Sequence, residues 1–182
     1  MSLLPRLSAL LLIGLFATTA FAGSKEDERA RNAVRVLTDF QAIPESAIPD
    51  KLLDEARAIV IVPDTIKAGL VVGGQGGEGV LFVRGRPTAY YKIGAVSYGL
   101  QAGGQSFSYA LFLMNDRALN YLNKNERWQI GSGPSVVVID QGKAMSTTST
   151  TLTQDVYAMP FGQKGLMAGL GLEGSKITRI KR

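Results

Sequence analysis

The chain has no cysteine and no histidine in 182 residues. Without cysteine there is no disulfide staple, no thiol nucleophile and no thiolate ligand for zinc. Without histidine the commonest general base near neutral pH is gone, and a Ser-His-Asp relay is excluded. A pair of carboxylates remains available for acid–base chemistry. The acids, however, fall mostly in expected helices and turns. Only Glu78 and Glu173 stand beside the glycine-rich stretches, where turn or rim positions account for both. No catalytic residue, metal site or cofactor is therefore expected, and the chain is read as a non-enzyme.

Long apolar runs are also scarce. The one near the N-terminus, Leu7 to Phe16, is shorter than the roughly 20 residues that a membrane-spanning helix needs. It follows Arg6 and precedes the small-x-small sequence Ala20-Phe21-Ala22, the layout of a cleaved export signal. Residues 1–22 are accordingly expected to be a signal peptide, and residues 23–182 one domain large enough to bury a core without disulfides. No cysteine stands at the cleavage site to carry a lipid, so a soluble periplasmic protein is expected. The formal net charge is +5. Arg6 aside, Lys176, Arg179, Lys181 and Arg182 account for that excess, which makes the basic character local and terminal.

The spacing of apolar residues separates an N-terminal helical part from a strand-rich remainder. Over residues 24–40, Ala30, Ala33, Val34, Leu37 and Phe40 fall near one stripe of a 3.6-residue period, with Arg29, Arg31, Arg35 and Asp39 beside it. Ser24 and Asp27 have capping-box spacing, and Glu26 to Glu28 suit the positive end of the helix dipole. A second short helix is expected over residues 50–57, after Pro49. From Ala58 the sequence turns β-branched, and Ala58-Ile-Val-Ile-Val62 reads as a buried strand stopped by Pro63. Further strands are expected over residues 70–73, 79–84, 88–97, 99–105, 108–114, 129–132, 135–140, 156–161, 166–172 and 175–180. Asn115-Asp116 can cap one inserted helix over residues 117–123. Gly85-Arg86-Pro87 and residues 131–134 punctuate the strands as turns. The Ser/Thr-rich run 146–153 is open between a solvated strand and a loop. The sum is an α+β domain: a glycine-rich, mainly antiparallel curved sheet, barrel- or sandwich-like, with two N-terminal helices and one short inserted helix.

Three stretches share one glycine pattern: Gly69-Leu-Val-Val-Gly73-Gly74-Gln75, Gly99-Leu-Gln-Ala-Gly103-Gly104-Gln105 and Gly165-Leu-Met-Ala-Gly169-Leu-Gly171. Glycine weakens a strand unless a neighbouring backbone comes close or the sheet bends. Gly69, Gly73, Gly99, Gly103, Gly165 and Gly169 are therefore read as structural glycines of a tightly curved sheet. Their spacing lies in no segment of spanning length, which leaves strand packing rather than helix pairing in a membrane. Residues 74–79 have the letters of a dinucleotide-binding fingerprint. A strand, Val80 to Val83, follows where the fingerprint needs a helix N-terminus, so these glycines read instead as a flexible turn between strands. Tyr90, Tyr91, Tyr98, Phe107 and Tyr109 lack the interleaved basic residues of a base-stacking surface, and no nucleic-acid partner is expected.

Taken in order, several blocks resemble the SYLF family, also called the Ysc84 actin-binding domain family. They are Ala58-Ile-Val-Ile-Val-Pro63, Gly79-Val-Leu-Phe-Val-Arg84, Ser97-Tyr-Gly-Leu-Gln-Ala-Gly-Gly-Gln105, Leu111-Phe-Leu-Met-Asn-Asp116 and Gln163-Lys-Gly-Leu-Met-Ala-Gly-Leu-Gly-Leu-Glu-Gly-Ser175. The resemblance covers nearly all of residues 23–182. It implies a lipid- or membrane-binding domain: eukaryotic members are associated with phosphoinositide membranes, fungal members with actin, and exported bacterial members with lipid. Export separates a chain from actin, so actin is not an expected partner. The expected function is binding of anionic phospholipid headgroups at the bacterial envelope, through Arg29, Arg31, Arg35, Lys164, Lys176 and Arg179. The three arginines read equally as a solvated helix face paired with Glu26, Asp27 and Glu28. The alternative function is a structural or assembly module of the envelope, with an envelope protein or a second copy as partner through exposed strand edges.

Overall fold

β-Branched and aromatic runs become the central strands of one sheet. In the computed structural model, which describes residues 25–42, 50–69, 72–98, 103–139, 152–165, 172 and 174–181, the buried run from Ala58 opens β1 (Ala58–Gly69). β1 bonds to β2 (Val72–Val83) on one side and to β4 (Gly103–Leu113) on the other. With β3 (Arg86–Tyr98), β5 (Arg127–Gln129), β6 (Val136–Val138), β7 (Val156–Gly165) and β8 (Lys176–Arg179), the order is β5-β8-β3-β2-β1-β4-β7-β6. All pairs are antiparallel except β6–β7. The sheet curls into a half-barrel, and with its three helices the domain is α+β. The expected leader, the expected Ser24 cap, the Ser/Thr run up to residue 151, Gly99, Gly169 and the strand expected over 166–171 lie outside the described residues.

Alternation along the strands divides the core into two layers. Val60, Val62, Leu81, Tyr91, Tyr109 and Leu111 point into the hollow of the sheet, where they meet Trp128 and the helix α3 (Asp116–Lys124) through Ala118 and Leu122. Ile61, Val80, Ala110, Phe112 and Met159 point outward and are covered by α1 (Lys25–Gln41) through Ala33 and by α2 (Asp50–Glu55) through Leu52. α3 starts as its sequence requires: Asn115 is the N-cap, and its Oδ1 accepts the Ala118 N–H at 2.9 Å.

Four local expectations are corrected. Pro63 does not stop its strand but sits in a β-bulge: the register slips between Ile61 and Ile66 towards β2, and between Val62 and Thr65 towards β4. Asp64 takes φ 49°, a left-handed conformation that Asp tolerates better than most residues, and its N–H donates to Ser108 Oγ at 3.2 Å. The glycines of residues 74–79 form no turn. They run inside β2, in register with β1 and β3, so their backbone is bonded on both sides. The hairpin turn is Arg84-Gly85, with φ 50° and 73°, and Arg86 and Pro87 already belong to β3. Val34 was expected in the buried stripe of α1 but is 49% exposed, because the docked face is centred on Ala33 and takes Val36 instead.

The curl has a steric basis in β2. A Cβ on Gly77 would lie 2.8 Å from Thr65 Oγ1, and one on Gly79 would lie 2.9 Å from Val62 Cγ2. Only glycine lets β1 side chains fold this closely over β2. The repeat glycines stand in one row: Gly69 is in register with Gly73 on one side and Gly103 on the other. One step along, Lys67 lies between Gln75 and Gln105, and Gly165 follows Gln105. The two Gly-Gly-Gln copies thus flank one segment of β1 symmetrically.

Candidate functional site

The bulge at Asp64 inverts the inside-out pattern of β1. Before it, Val60 and Val62 face the hollow. After it, Thr65 and Lys67 do, both buried, while Ile66 and Ala68 face outward and are exposed. A one-residue slip turns every following side chain to the other face. The outer face of the half-barrel therefore carries apolar residues at the end where the inner face is polar.

α1 leaves that end of the outer face bare. The helix is pinned at its N-terminal half by Arg29 Nε, which donates to the Glu78 carboxylate of β2, and by Asn32 Nδ2, which donates to Asp64 Oδ2 of β1 at 3.2 Å. Beyond this row, Ile66, Val72 and Val96 are 63%, 57% and 67% exposed. Several of their cross-strand neighbours are glycines: Gly76 is in register with Ile66 and Gly74 with Val96, while Ser106 stands on the other side of Ile66 and Tyr98 is in register with Val72. The result is an exposed apolar strip across three strands.

Basic residues border the strip on two sides. Along α1, a groove of about 570 Å³ against Glu78 is lined by Lys25, Arg31 and Arg35. Along β3, exposed Lys92 stands beside Glu78, and exposed Lys176 of β8 stands opposite Gly94. A second groove of about 620 Å³ joins these two lysines to Val96 and Thr178.

The residues expected from the sequence to meet lipid divide between these places. Arg29 is engaged within the molecule: besides Glu78 it reaches Glu26 at 3.5 Å, and the hydrogen bond to Glu78 raises its pKa further. Arg31 and Arg35 are exposed, Arg35 donating to Asn32 Oδ1 at 2.7 Å. Lys164 lies in β7 opposite Ser106. Lys176 is on the border of the strip. Arg179 is exposed but alternates to the other face of β8, opposite Tyr91. Lys25, Lys92 and the three exposed aliphatics went unnoticed in the sequence. The apolar alternation of Ile66 and Ala68 was the available signal, and its direction depends on the bulge. Among the described residues no cluster of acids is placed to hold a metal ion, and no helix is long and apolar enough to cross a membrane.

Comparison with known proteins points the same way as the blocks of sequence. The model of the Ysc84 family, described as "Las17-binding protein actin regulator", matches residues 94–182, from the middle of β3 onward. The "SH3 domain-containing YSC84-like protein 1" of Homo sapiens is 27% identical over 162 residues, 84% of this chain and 47% of that protein. The Xenopus laevis protein of the same name is 26% identical over 162 residues, 84% of this chain and 48% of its own length. "Protein YSC84" of Saccharomyces cerevisiae is 27% identical over 142 residues, which is 73% of this chain and 30% of the yeast protein. The chain thus spans about half the length of the animal relatives, or less. The similarity to these relatives reaches well beyond the segment that the family model matches, and together the matches support placing the chain with the Ysc84 (SYLF) family.

Proposed function

We propose that the chain is a peripheral binding module that lays the bare strip of its outer sheet face on an anionic membrane surface. The observation that carries this reading is the coincidence of Ile66, Val72 and Val96, exposed on one glycine-rich sheet face, with Lys92, Lys176, Arg31 and Arg35 around it. A basic residue near an anionic surface contributes about 1 kcal/mol, so four contribute roughly 4 kcal/mol, and this part weakens as salt screens it. Burying the exposed remainder of three aliphatic side chains adds about 1 kcal/mol each. In this reading residues 1–22 export the chain to the periplasm of a bacterium, the lipid is that of the cell envelope, and the actin-directed role named for its relatives is not carried over. The module binds rather than catalyses.

Vesicle flotation tests the proposal. The protein is expected to float with anionic vesicles at low salt, to be released at about 0.5 M salt, and to stay behind with neutral vesicles. Val96→Asp and the pair Lys92→Glu with Lys176→Glu should each reduce recovery without lowering the melting temperature. Absence of recovery with anionic vesicles at low salt would overturn it.

A second reading rests on the same strip. An exposed apolar sheet face also suits a protein, either a second copy or an envelope partner, and the Ysc84 family is described as a protein-binding regulator. Discrete oligomers in solution that form without lipid and are lost in Val96→Asp would favour it.

A further inference from the structure

Two arginines face each other where β1 begins and β2 ends. Ala58 is in register with Val83, so Arg57 and Arg84 stand opposite one another just beyond that pair. Like charges placed directly across two strands repel. Among the described residues, Arg57 Nε lies 3.8 Å from Asp116 Oδ1, and no acid pairs with Arg84. Arg84 also holds φ 50° as the first residue of the hairpin turn, a position that favours Asn, Asp or Gly. Charge and backbone preference both disfavour an arginine here, and the turn itself needs no guanidinium. Alternation along the strands puts both arginines on the outer face, in line with Ile59 and Phe82, which are in register with each other. There the outer layer of the core is incompletely filled. Leu37 of α1, Leu53 of α2, Ile59 and Phe82 surround a crevice of about 260 Å³ and remain only partly buried. Arg57 and Arg84 line the same crevice. It lies before the β1 bulge, whereas the exposed strip of Ile66 lies after it, and the two share no residue.

We propose that this crevice binds a medium-chain aliphatic carboxylic acid, its chain among the apolar side chains and its carboxylate between Arg57 and Arg84. The volume has room for roughly eight chain carbons, each taken as the size of a water molecule. Removing that chain from water supplies the attraction that is blind to chemistry. The arginines supply the selection. A guanidinium presents paired N–H donors that match the two oxygens of a carboxylate, and an anion between the two relieves their mutual repulsion. The charge also fits: with Asp116 already beside Arg57, the pair is left short of one negative charge, and a carboxylic acid carries one at neutral pH. An uncharged chain would leave the arginines facing each other, and a carboxylate without a chain would forgo the apolar contacts.

Calorimetric titration and thermal melts with octanoate, octan-1-ol and acetate test the proposal. Octanoate should bind at a stoichiometry of one and raise the melting temperature, while octan-1-ol and acetate should each bind at least roughly tenfold more weakly. Arg84→Gly suits the backbone of the turn, so the ligand-free variant should be at least as stable as the parent. It should nevertheless weaken octanoate binding roughly tenfold and leave the response to octan-1-ol unchanged. Arg57→Gln should act on octanoate in the same direction. The pair Lys92→Glu with Lys176→Glu, on the border of the strip, should leave octanoate binding as it is, which separates this site from the membrane-facing surface. The proposal would be overturned by any of four results: no octanoate binding, octan-1-ol bound as tightly as octanoate, equal octanoate affinity in Arg84→Gly and the parent, or loss of binding in the lysine pair.

Discussion

Glycines on different strands do different work in this fold. Gly79 faces β1, and a methyl group there would meet Val62 Cγ2 at 2.9 Å and the Ile61 carbonyl oxygen at 3.3 Å. Gly104 has open space where its Cβ would be, on the bare outer face. Gly79→Ala is therefore expected to cost about 1–3 kcal/mol through overpacking, and Gly104→Ala almost nothing. Gly103 is set by its backbone, since φ 141° is a conformation that β-branched residues avoid. Gly103→Val should lower the melting temperature well beyond Gly104→Ala. Thermal melts of the three variants beside the parent decide this, and equal melting temperatures for Gly79→Ala and Gly104→Ala would contradict the packing argument. The repeat pattern in the sequence drew attention to Gly69, Gly73 and Gly103, which stand in register with one another. It missed Gly77 and Gly79, on which the curl depends more directly, because only pairing on both edges distinguishes a strand interior from a turn.

At the scale of elements, the bulge in β1 and the docking of α1 are one device. Asp64 supplies the left-handed residue of the bulge, a bond to Ser108 of β4 and an acceptor for Asn32 of α1. Asp64→Val should destabilise the fold by more than the roughly 1–2 kcal/mol of the left-handed conformation alone, since it also removes the carboxylate that accepts from Asn32. Asp64→Gly keeps the backbone and should retain most of the stability. Denaturant midpoints of the pair separate conformation from contact. Arg29 belongs to the same joint, and its partial exposure and that of Glu78 keep their ion pair modest. Arg29→Gln is expected to cost less than about 1 kcal/mol, and Arg31→Gln and Arg35→Gln less still. The lipid-binding measurements should rank these arginines in the reverse order. If Arg29→Gln impaired flotation more than the other two without loss of stability, its assignment to helix docking would be wrong.

Over the whole molecule, the carboxylate of Asp155 ties together three parts distant in sequence. It accepts from Asn115 Nδ2 at 2.8 Å, where α3 begins, and from the Ser135 N–H at 2.9 Å, ahead of β6, while its own residue leads into β7. The Asn115 bond, followed by those from Ser135, holds its pKa below the usual carboxylate range. A group with a depressed folded-state pKa stabilises the fold above its unfolded value, near 3.9, and loses that contribution as pH falls through the lower folded value. Acid denaturation should therefore be less steep below about pH 4 in Asp155→Asn than in the parent, and the variant should be less stable by about 2 kcal/mol at neutral pH. Chemical denaturation at pH 7 and at successively lower pH measures both.

Much of this architecture was legible from residue order. The β-branched run after Arg57, the Asn115 cap, the amphipathic first helix and the glycine repeats led to an α+β domain with a curved, mainly antiparallel sheet and three helices, and the ordered blocks led to the family. These features depend on neighbours in the chain, where side-chain shape and backbone propensity act directly. The two faces of the sheet were decided otherwise. Whether Ile66 or Lys67 meets water depends on one extra residue at Asp64, and the partners of that bulge, Ser108 and Asn32, are distant in sequence. Likewise, the sequence put Arg29 and Lys176 in one class of basic residues, whereas packing gave Arg29 a carboxylate from β2 and left Lys176 in solvent. Hydrophobic spacing determined which segments would be buried; long-range register alone determined which surface they would leave exposed.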